Sequence, residues 1–239
     1  MSKSGEPVIW KNIWEKKGKV ASDGIDLTSL IAIDGFDTGA GEFPVDSWLS
    51  FVEETKIKLR LKKEQKVLEV GCGAGAFLLP MYNSGMVVYG IDYSNSLIQL
   101  CTNIIKLGVF KVSEANNIPF EDEFFDAVVS NSVFQYFDGL EYAENVVSEI
   151  ARVLKKKGCA ALLDLNDAAK KEKYESIRRR KLGDKEYDRL YGSLNHQFYK
   201  KEWFDNIANN FGLKCNIQDQ NIKGYDNSKF RYNVFLEKG

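Results

Sequence analysis

Three alternating glycines after a short apolar segment constrain the fold of this chain more than any other feature. The segment 67–70 is mostly apolar and predicts a buried strand, Gly71, Gly73 and Gly75 form a turn, and residues 76–83 predict a helix. Glycine lets a ligand come close to the backbone because it has no Cβ. The first N–H groups of a helix also lack partners within the helix. The turn therefore predicts a site for a nucleotide-like cofactor.

The glycine turn fits two cofactor families. Together with Ala76 it matches the dinucleotide fingerprint, which tolerates alanine at its third position. Preceded by Glu69 it matches the loop that binds S-adenosylmethionine (SAM). Both families expect an acidic residue about 20 residues later, and Asp92, at the end of a predicted strand over 87–92, supplies it. The turn and this acid predict ribose binding and leave the cofactor open.

Predicted strands and helices alternate from residue 66 onward. Strands are predicted over 66–71, 87–92, 109–113, 125–130, 159–165, 213–219 and 231–237. Helices are predicted over 75–84, 94–106, 140–155 and 201–211. This alternation predicts an α/β fold, with a doubly wound, seven-stranded, mostly parallel sheet. The last strand is predicted antiparallel, because a polar stretch without helical signal precedes it and a parallel return needs a crossover helix.

Two segments lie outside the alternation. Residues 1–48 are predicted to form a helical lid over the cofactor, because residues 33–43 combine three glycines with two aromatic residues. Residues 49–239 then form the main domain, with a helical cap inserted over 166–195. That insertion carries the basic run 178–181, which either faces solvent or meets a phosphate or carboxylate of the substrate.

Composition restricts the function classes. The chain has 239 residues, 44% hydrophobic and 28% charged, with a net charge of −1, as expected for one soluble domain. A nucleic-acid partner is not expected, because such domains carry a basic excess. The four cysteines form no CxxC pair, and no His/Cys/Asp set has metal spacing, so no metal is expected. Without a hydrophobic leader or an 18-residue apolar run, we expect a cytoplasmic monomer or homodimer away from membranes.

Five motifs in order resemble class I SAM-dependent methyltransferases. They are the Glu69–Gly75 loop, Asp92, the acid-Ala-x-x-Ile-Pro-Phe segment 114–120, the Phe-Asp strand 124–131, and the helix and turn 149–158. The resemblance covers residues 64–165 and favours SAM over a dinucleotide. It implies an enzyme that transfers the methyl group of SAM and releases S-adenosylhomocysteine (SAH).

The resemblance assigns roles around the methionine part of SAM. The backbone at Gly71, Gly73 and Gly75 would pass along it, and Glu69 would bind its amino group. Asp92 would hold both ribose hydroxyls.

The remaining cofactor contacts come from the next strand ends. Tyr93 would pack on the adenine or else lie at the surface, and Glu114 with the Ala115 backbone would face the adenine edge. Ser130 and Asn131 would stand beside the sulfonium.

The acceptor pocket is expected at the carboxyl ends of the strands. Gln135, Tyr136, Tyr199 and Phe36 are the candidate acceptor contacts. His196, the one histidine, is either a general base, since its ordinary pKa near 6.5 suits that role, or a structural linker residue.

A small molecule is the expected acceptor, methylated on oxygen or nitrogen. Residues 131–134 lack the prolines of DNA amino-methylating enzymes. The glycine-rich lid and the segment 195–199 faintly resemble methyltransferases of bacterial capsule and natural-product precursors, which implies a phosphate- or sugar-containing acceptor. The alternative is a regulatory protein that binds SAM without transferring its methyl group.

Overall fold

The computed structural model describes residues 6–19, 24–36, 41–191 and 196–239. The helices are α1 (Glu6–Lys17), α2 (Leu27–Ile33), α3 (Val45–Lys58), α4 (Leu78–Asn83), α5 (Asn95–Ile104), α6 (Gly139–Val153), α7 (Lys171–Leu182), α8 (Asp184–Tyr191) and α9 (Lys201–Asn210). The strands are β1 (Lys66–Val70), β2 (Val87–Asp92), β3 (Val109–Val112), β4 (Phe125–Asn131), β5 (Leu154–Asn166), β6 (Leu213–Asp219) and β7 (Arg231–Lys238).

The strands form one sheet in the order β3-β2-β1-β4-β5-β7-β6. The first five strands pair in parallel, whereas β7 runs antiparallel to both β5 and β6. The order reverses at β1, and a reversal opens a crevice beyond the carboxyl ends of the strands. The predicted doubly wound sheet and its antiparallel last strand are confirmed.

Two local elements differ from the prediction. The helix predicted over 75–84 begins only at Leu78, because Gly75 has a φ of 93°, outside the helical range. Strand β5 begins at Leu154 rather than at residue 159. Phe125 pairs with Leu154 and Ala127 pairs with Cys159, so the intervening residues of β5 form a bulge in this strand.

Each face of the sheet carries its own apolar core. On one face, α2 to α5 cover β1 and β2 with buried side chains such as Leu30, Trp48 and Met81. On the other face, α6 and α9 contribute Ile150 and Phe204. In the described part of the chain, no helix is both long and apolar enough to cross a membrane.

The N-terminal helix α1 is fastened to the start of α5. The Glu15 carboxylate accepts a hydrogen bond from the Ser94 hydroxyl (2.8 Å) and one from the Ser96 amide (3.3 Å). The Ser96 hydroxyl donates to the Glu15 carbonyl (2.7 Å). A carboxylate is favourable at a helix N-terminus because the helix dipole is positive there. α1 therefore lies above the carboxyl edge of the sheet.

A hydrogen bond from Trp48 joins α3 to the glycine turn, and replacing Trp48 tests its contribution to stability. Its indole N–H donates to the Ala76 carbonyl (3.0 Å) from a fully buried ring. We expect Trp48→Phe to lower the free energy of unfolding by about 1–3 kcal/mol, because a buried acceptor loses its donor. Denaturant titration measures this. Trp203→Phe, at a partly buried ring that packs against the core of the other face, is the control, and an equal or larger loss there would contradict the role of the Trp48 hydrogen bond.

Candidate active site

A cavity of about 580 Å³ opens at the carboxyl edge of the sheet. Its floor is formed by the residues that follow β1, β2, β3 and β4. Its roof comes from the N-terminal segment, through Trp10, Lys11 and Trp14 of α1 and through Asp34 and Phe36 after α2. The volume lies within the ordinary range for small-molecule sites, about 300–1,000 Å³.

Most of the site residues predicted from the sequence line this cavity. They are Glu69, Gly71, Gly73, Asp92, Tyr93, Glu114, Ala115, Asn131, Tyr136 and Phe36. Five others lie outside its wall: Gly75, Ser130, Gln135, His196 and Tyr199.

Three of those five serve the fold. Gly75 packs against α5, since a Cβ at this position would meet the Cys101 sulfur at 2.7 Å. The Ser130 hydroxyl is fully buried and donates to the Val70 carbonyl (3.0 Å), so it joins β4 to β1 rather than facing a sulfonium. The Tyr199 ring is fully buried as well, and its hydroxyl donates to the Phe134 carbonyl (2.7 Å). Core packing removes Ser130 and Tyr199 from the cavity.

The position and the pKa of His196 do not support the hypothesis that it acts as a general base. It packs behind the cavity wall against the rings of Trp10 (5.1 Å between centroids) and Tyr136 (5.7 Å). Burial, reinforced by the positive charges of Arg178 and Arg231, lowers the pKa of His196 to about 3. A base with so low a pKa gives little driving force for proton abstraction at neutral pH. Gln135 also lies outside the cavity wall, and its side-chain amide donates to the Ser132 hydroxyl (2.7 Å).

Asp92 is placed at the end of β2, next to the glycine turn. One carboxylate oxygen accepts from the Gly73 amide (3.0 Å) and the other from the Ser94 amide (2.9 Å). A carboxylate has about four lone-pair positions, so each oxygen can accept one further hydrogen bond. Burial raises the pKa of Asp92 to about 6, against the lowering effect of the two amides.

Asp34 is the site residue that the sequence prediction missed. Its carboxylate accepts hydrogen bonds from the amides of Ala74 (2.6 Å) and Ala76 (3.1 Å), inside the glycine turn. Burial raises the pKa of Asp34 to about 7, and the Asp92 charge contributes to the rise. No local pattern marks this aspartate, because the contact joins residues 40 and 42 positions apart.

Two acceptor atoms on the cavity wall have no donor. Within the described residues, Glu69 Oε2 and Asn131 Oδ1 are buried and accept no hydrogen bond. Burial, followed by the charge of Asp34, raises the pKa of Glu69 well above its ordinary range. Glu69, Asp34 and Asp92 thus line one cavity as three carboxyl groups, which favours a ligand that carries positive charge and hydrogen-bond donors. No group of metal-binding side chains occurs in the described ranges.

Residues 68–162 match the family described as a methyltransferase domain. Demethylmenaquinone methyltransferase of Thermotoga maritima is 33% identical over 125 residues, or 49% of this chain and 53% of that protein. Probable tRNA methyltransferase 9B of Mus musculus is 34% identical over 88 residues, or 37% of this chain and 19% of that protein. The chain therefore spans about half the length of the first relative and a fifth of the second.

The fold also matches solved structures. A chain in the complex of the Haloferax volcanii Trm112 methyltransferase activator with a methyltransferase aligns at a TM-score of 0.64. The alignment has 17% identity and covers 89% of this chain and 97% of that one. Because relatives named for tRNA match the same domain, the comparisons do not support the expectation that nucleic acid is excluded.

The three carboxyl groups make the stability of the ligand-free chain depend on pH. Folded Asp34 keeps its proton up to about pH 7, whereas a free aspartate releases it near 3.8. The folded state thus binds more protons between these values, so the free energy of unfolding decreases as pH rises from 4 to 7. We expect Asp34→Asn to make this slope shallower, measured by denaturant titration at several pH values. Asp126→Asn, at the opposite edge of the sheet, is the control, and an unchanged slope in Asp34→Asn would contradict the assignment.

Proposed function

We propose that this chain binds SAM in the cavity and transfers its methyl group to an oxygen or nitrogen of a small-molecule acceptor; the match of residues 68–162 to the methyltransferase domain family supports this. SAM supplies a methyl group on a positively charged sulfur. The residues of the chain bind and orient the reactants and exclude water from them.

The observation that carries this proposal is the Asp34 carboxylate on the glycine turn. In dinucleotide-binding folds the N–H groups of this turn bind a pyrophosphate. Here the amides of Ala74 and Ala76 donate to Asp34, and Glu69 and Asp92 stand beside it. A pyrophosphate would find these donors already taken, whereas the ammonium and sulfonium of SAM would lower the raised pKa values of the carboxyl groups and favour their charged form.

The unpaired acceptors suit the methionine part of SAM. The Glu69 carboxylate has a buried oxygen without a donor, which an ammonium group would supply. Asn131 offers a second such oxygen at the end of β4. Asp92 retains an acceptor position on each oxygen, which matches the two neighbouring ribose hydroxyls.

Beyond Asp92, the cavity offers aromatic and polar groups that could contact the adenine of SAM. Tyr93, Glu114 and Ala115 line the cavity beyond Asp92, and the Tyr142 hydroxyl donates to the Glu114 carboxylate (3.2 Å). Lys11 of α1 lies 3.9 Å from the other oxygen of Glu114, so the roof reaches this end too. These groups fit the edge and the face of a purine ring.

Catalysis rests on alignment in this proposal. Holding two reactants in line is worth roughly 7–11 kcal/mol of a barrier. The tryptophans of α1 and the Tyr136 ring, 4.6 Å from Trp10 between centroids, would exclude water from the reacting atoms. His196 is a poor proton acceptor, so the acceptor atom must be nucleophilic without its help.

The enclosure of the site supports a small-molecule acceptor. The roof formed by α1 and Phe36 leaves room for a small molecule, and a phosphate- or sugar-containing precursor is consistent with the polar groups behind Ser132. A tRNA nucleotide is the competing acceptor, because the Mus musculus relative is named as a probable tRNA methyltransferase. We also propose a cytoplasmic location, because the four cysteines are free thiols.

Cofactor binding is tested with SAH. We expect wild type to bind SAH in isothermal titration, and Asp92→Asn to bind it about 10- to 100-fold more weakly, because a charge-assisted hydrogen bond to ribose is worth about 1.5–3 kcal/mol. Asp126→Asn is the matched control at the opposite edge of the sheet and should bind as wild type does. Failure of wild type to bind SAH at millimolar concentration would refute the proposed function.

Methyl transfer separates an enzyme from a SAM-binding regulator. The chain is incubated with methyl-labelled SAM and separate small-molecule and tRNA fractions of a cell extract, and labelled products are found by mass spectrometry. We expect a labelled small molecule whose yield falls sharply in Asp92→Asn when the SAM concentration is close to the wild-type Kd. Label in tRNA alone would move the acceptor to nucleic acid, and SAH binding without any labelled product would favour the regulator.

A further inference from the structure

Arg231, the first residue of β7, holds a buried positive charge behind the cavity wall. Its side chain is 5% exposed, and its Nε and Nη1 atoms donate no hydrogen bond within the described structure. A buried donor without an acceptor is costly, and more so when the group is charged. Two of the three guanidinium nitrogens of Arg231 therefore carry donors that the described structure leaves unused.

The nearest carboxylate does not satisfy Arg231. Asp164 Oδ1 lies 3.4 Å from Arg231 Nε without a hydrogen bond between them, and it accepts one from the Gln220 amide (3.0 Å). Its other oxygen accepts from the hydroxyls of Ser132 (2.8 Å) and Tyr225 (3.0 Å). Asp164 thus balances the charge of Arg231 without engaging its donors.

The same cluster reaches the cavity through Ser132. Ser132 lines the cavity, donates to Asp164 and accepts from the Gln135 amide, whose own carbonyl oxygen is buried without a donor among the described residues. Ser132 and Asp164 both have left-handed backbones, with φ of 59° and 58°. Such strain in non-glycine residues is concentrated at functional sites. These two residues lie at the carboxyl end of β4 and within the last residues of β5, next to the cofactor cavity.

A second guanidinium approaches from the inserted helix α7. Arg178 and Arg231 each lie 5.1 Å from the centroid of the Tyr174 ring. Besides burial, the charges of both guanidinium groups contribute to the lowered pKa of His196, which packs against Trp10 and Tyr136 of the cavity lining.

Access to Arg231 depends on Tyr174. Within α7, whose residues are all described, Tyr174 is the one buried side chain. Its ring packs against Phe198 and Phe230 and against the Arg231 guanidinium. A helix held by a single buried ring can move at low cost, because local opening depends on how much apolar contact is lost.

We propose that Arg231 binds an oxyanion of the methyl acceptor, a phosphate or a carboxylate, that enters when the Tyr174 ring moves aside. The inference rests on the proposed function and gives the acceptor its chemical class. A guanidinium with two donors unused suits such an anion because it can bind two oxygens at once.

The test uses inorganic phosphate and acetate on the full-length chain saturated with SAH, at constant ionic strength. Each anion is titrated calorimetrically into wild type, Arg231→Gln, Arg231→Lys and Arg60→Gln. Arg60 is the matched control, since it lies at the far edge of the sheet in an exposed pair with Glu237. We expect one anion to bind wild type with a millimolar Kd, Arg231→Gln to weaken it at least tenfold, and Arg60→Gln to stay within twofold. The anion that binds tells phosphate from carboxylate.

Two outcomes would overturn the assignment: no binding of either anion by SAH-loaded wild type, or equal binding by Arg231→Gln. If Arg231→Gln does not fold, the Nε resonance of Arg231 in wild type, assigned through Arg231→Lys, must shift when the anion is added, and an unchanged resonance counts against the proposal. Failure of wild type to bind SAH would instead contradict the proposed function.

Discussion

The hydrogen bonds between the Asp34 carboxylate and the amides of Ala74 and Ala76 determine what this site can bind. A glycine turn at a strand–helix junction ordinarily offers its donors to an anion. When an aspartate of the same chain takes those donors, the turn has fewer left for an anion. The rest of the cavity then favours a cationic ligand, since Glu69 and Asp92 add two further carboxyl groups.

The same contact joins the N-terminal segment to the domain. α1 is fixed to α5 through Glu15, and the residue after α2 is fixed to the glycine turn through Asp34. The roof therefore rests on the two loops that would hold the cofactor. The expected lid over residues 1–48 stays a prediction. Residues 37–40 of its glycine-rich stretch lie outside the described structure, while Phe36 and Phe43 on either side pack on Trp48.

Charge differs between the cofactor cavity and the side-chain cluster behind Ser132. Carboxyl groups line the cavity, and the buried Arg231 lies behind its wall, joined to it through Ser132 and Asp164. In the proposed function, a cationic methyl donor would meet the carboxyl groups and an anionic acceptor would meet Arg231. The low pKa of His196 follows from the same arrangement, because burial and the nearby arginines disfavour its protonated form. These surroundings make His196 a poor base, although the sequence alone makes it the candidate for that role.

Local sequence determined the secondary structure, the sheet type, the glycine turn and Asp92, because alternating apolar segments, glycines and an acid at a fixed interval are properties of neighbouring residues. Local sequence also contains, in order, the five motifs that favour SAM over a dinucleotide. The tertiary structure decided the positions of Asp34, Tyr199, His196 and Arg231. Each depends on contacts between residues far apart in the chain, and burial, which sets their pKa values and leaves their polar atoms paired or unpaired, exists only once the helices have packed on the sheet.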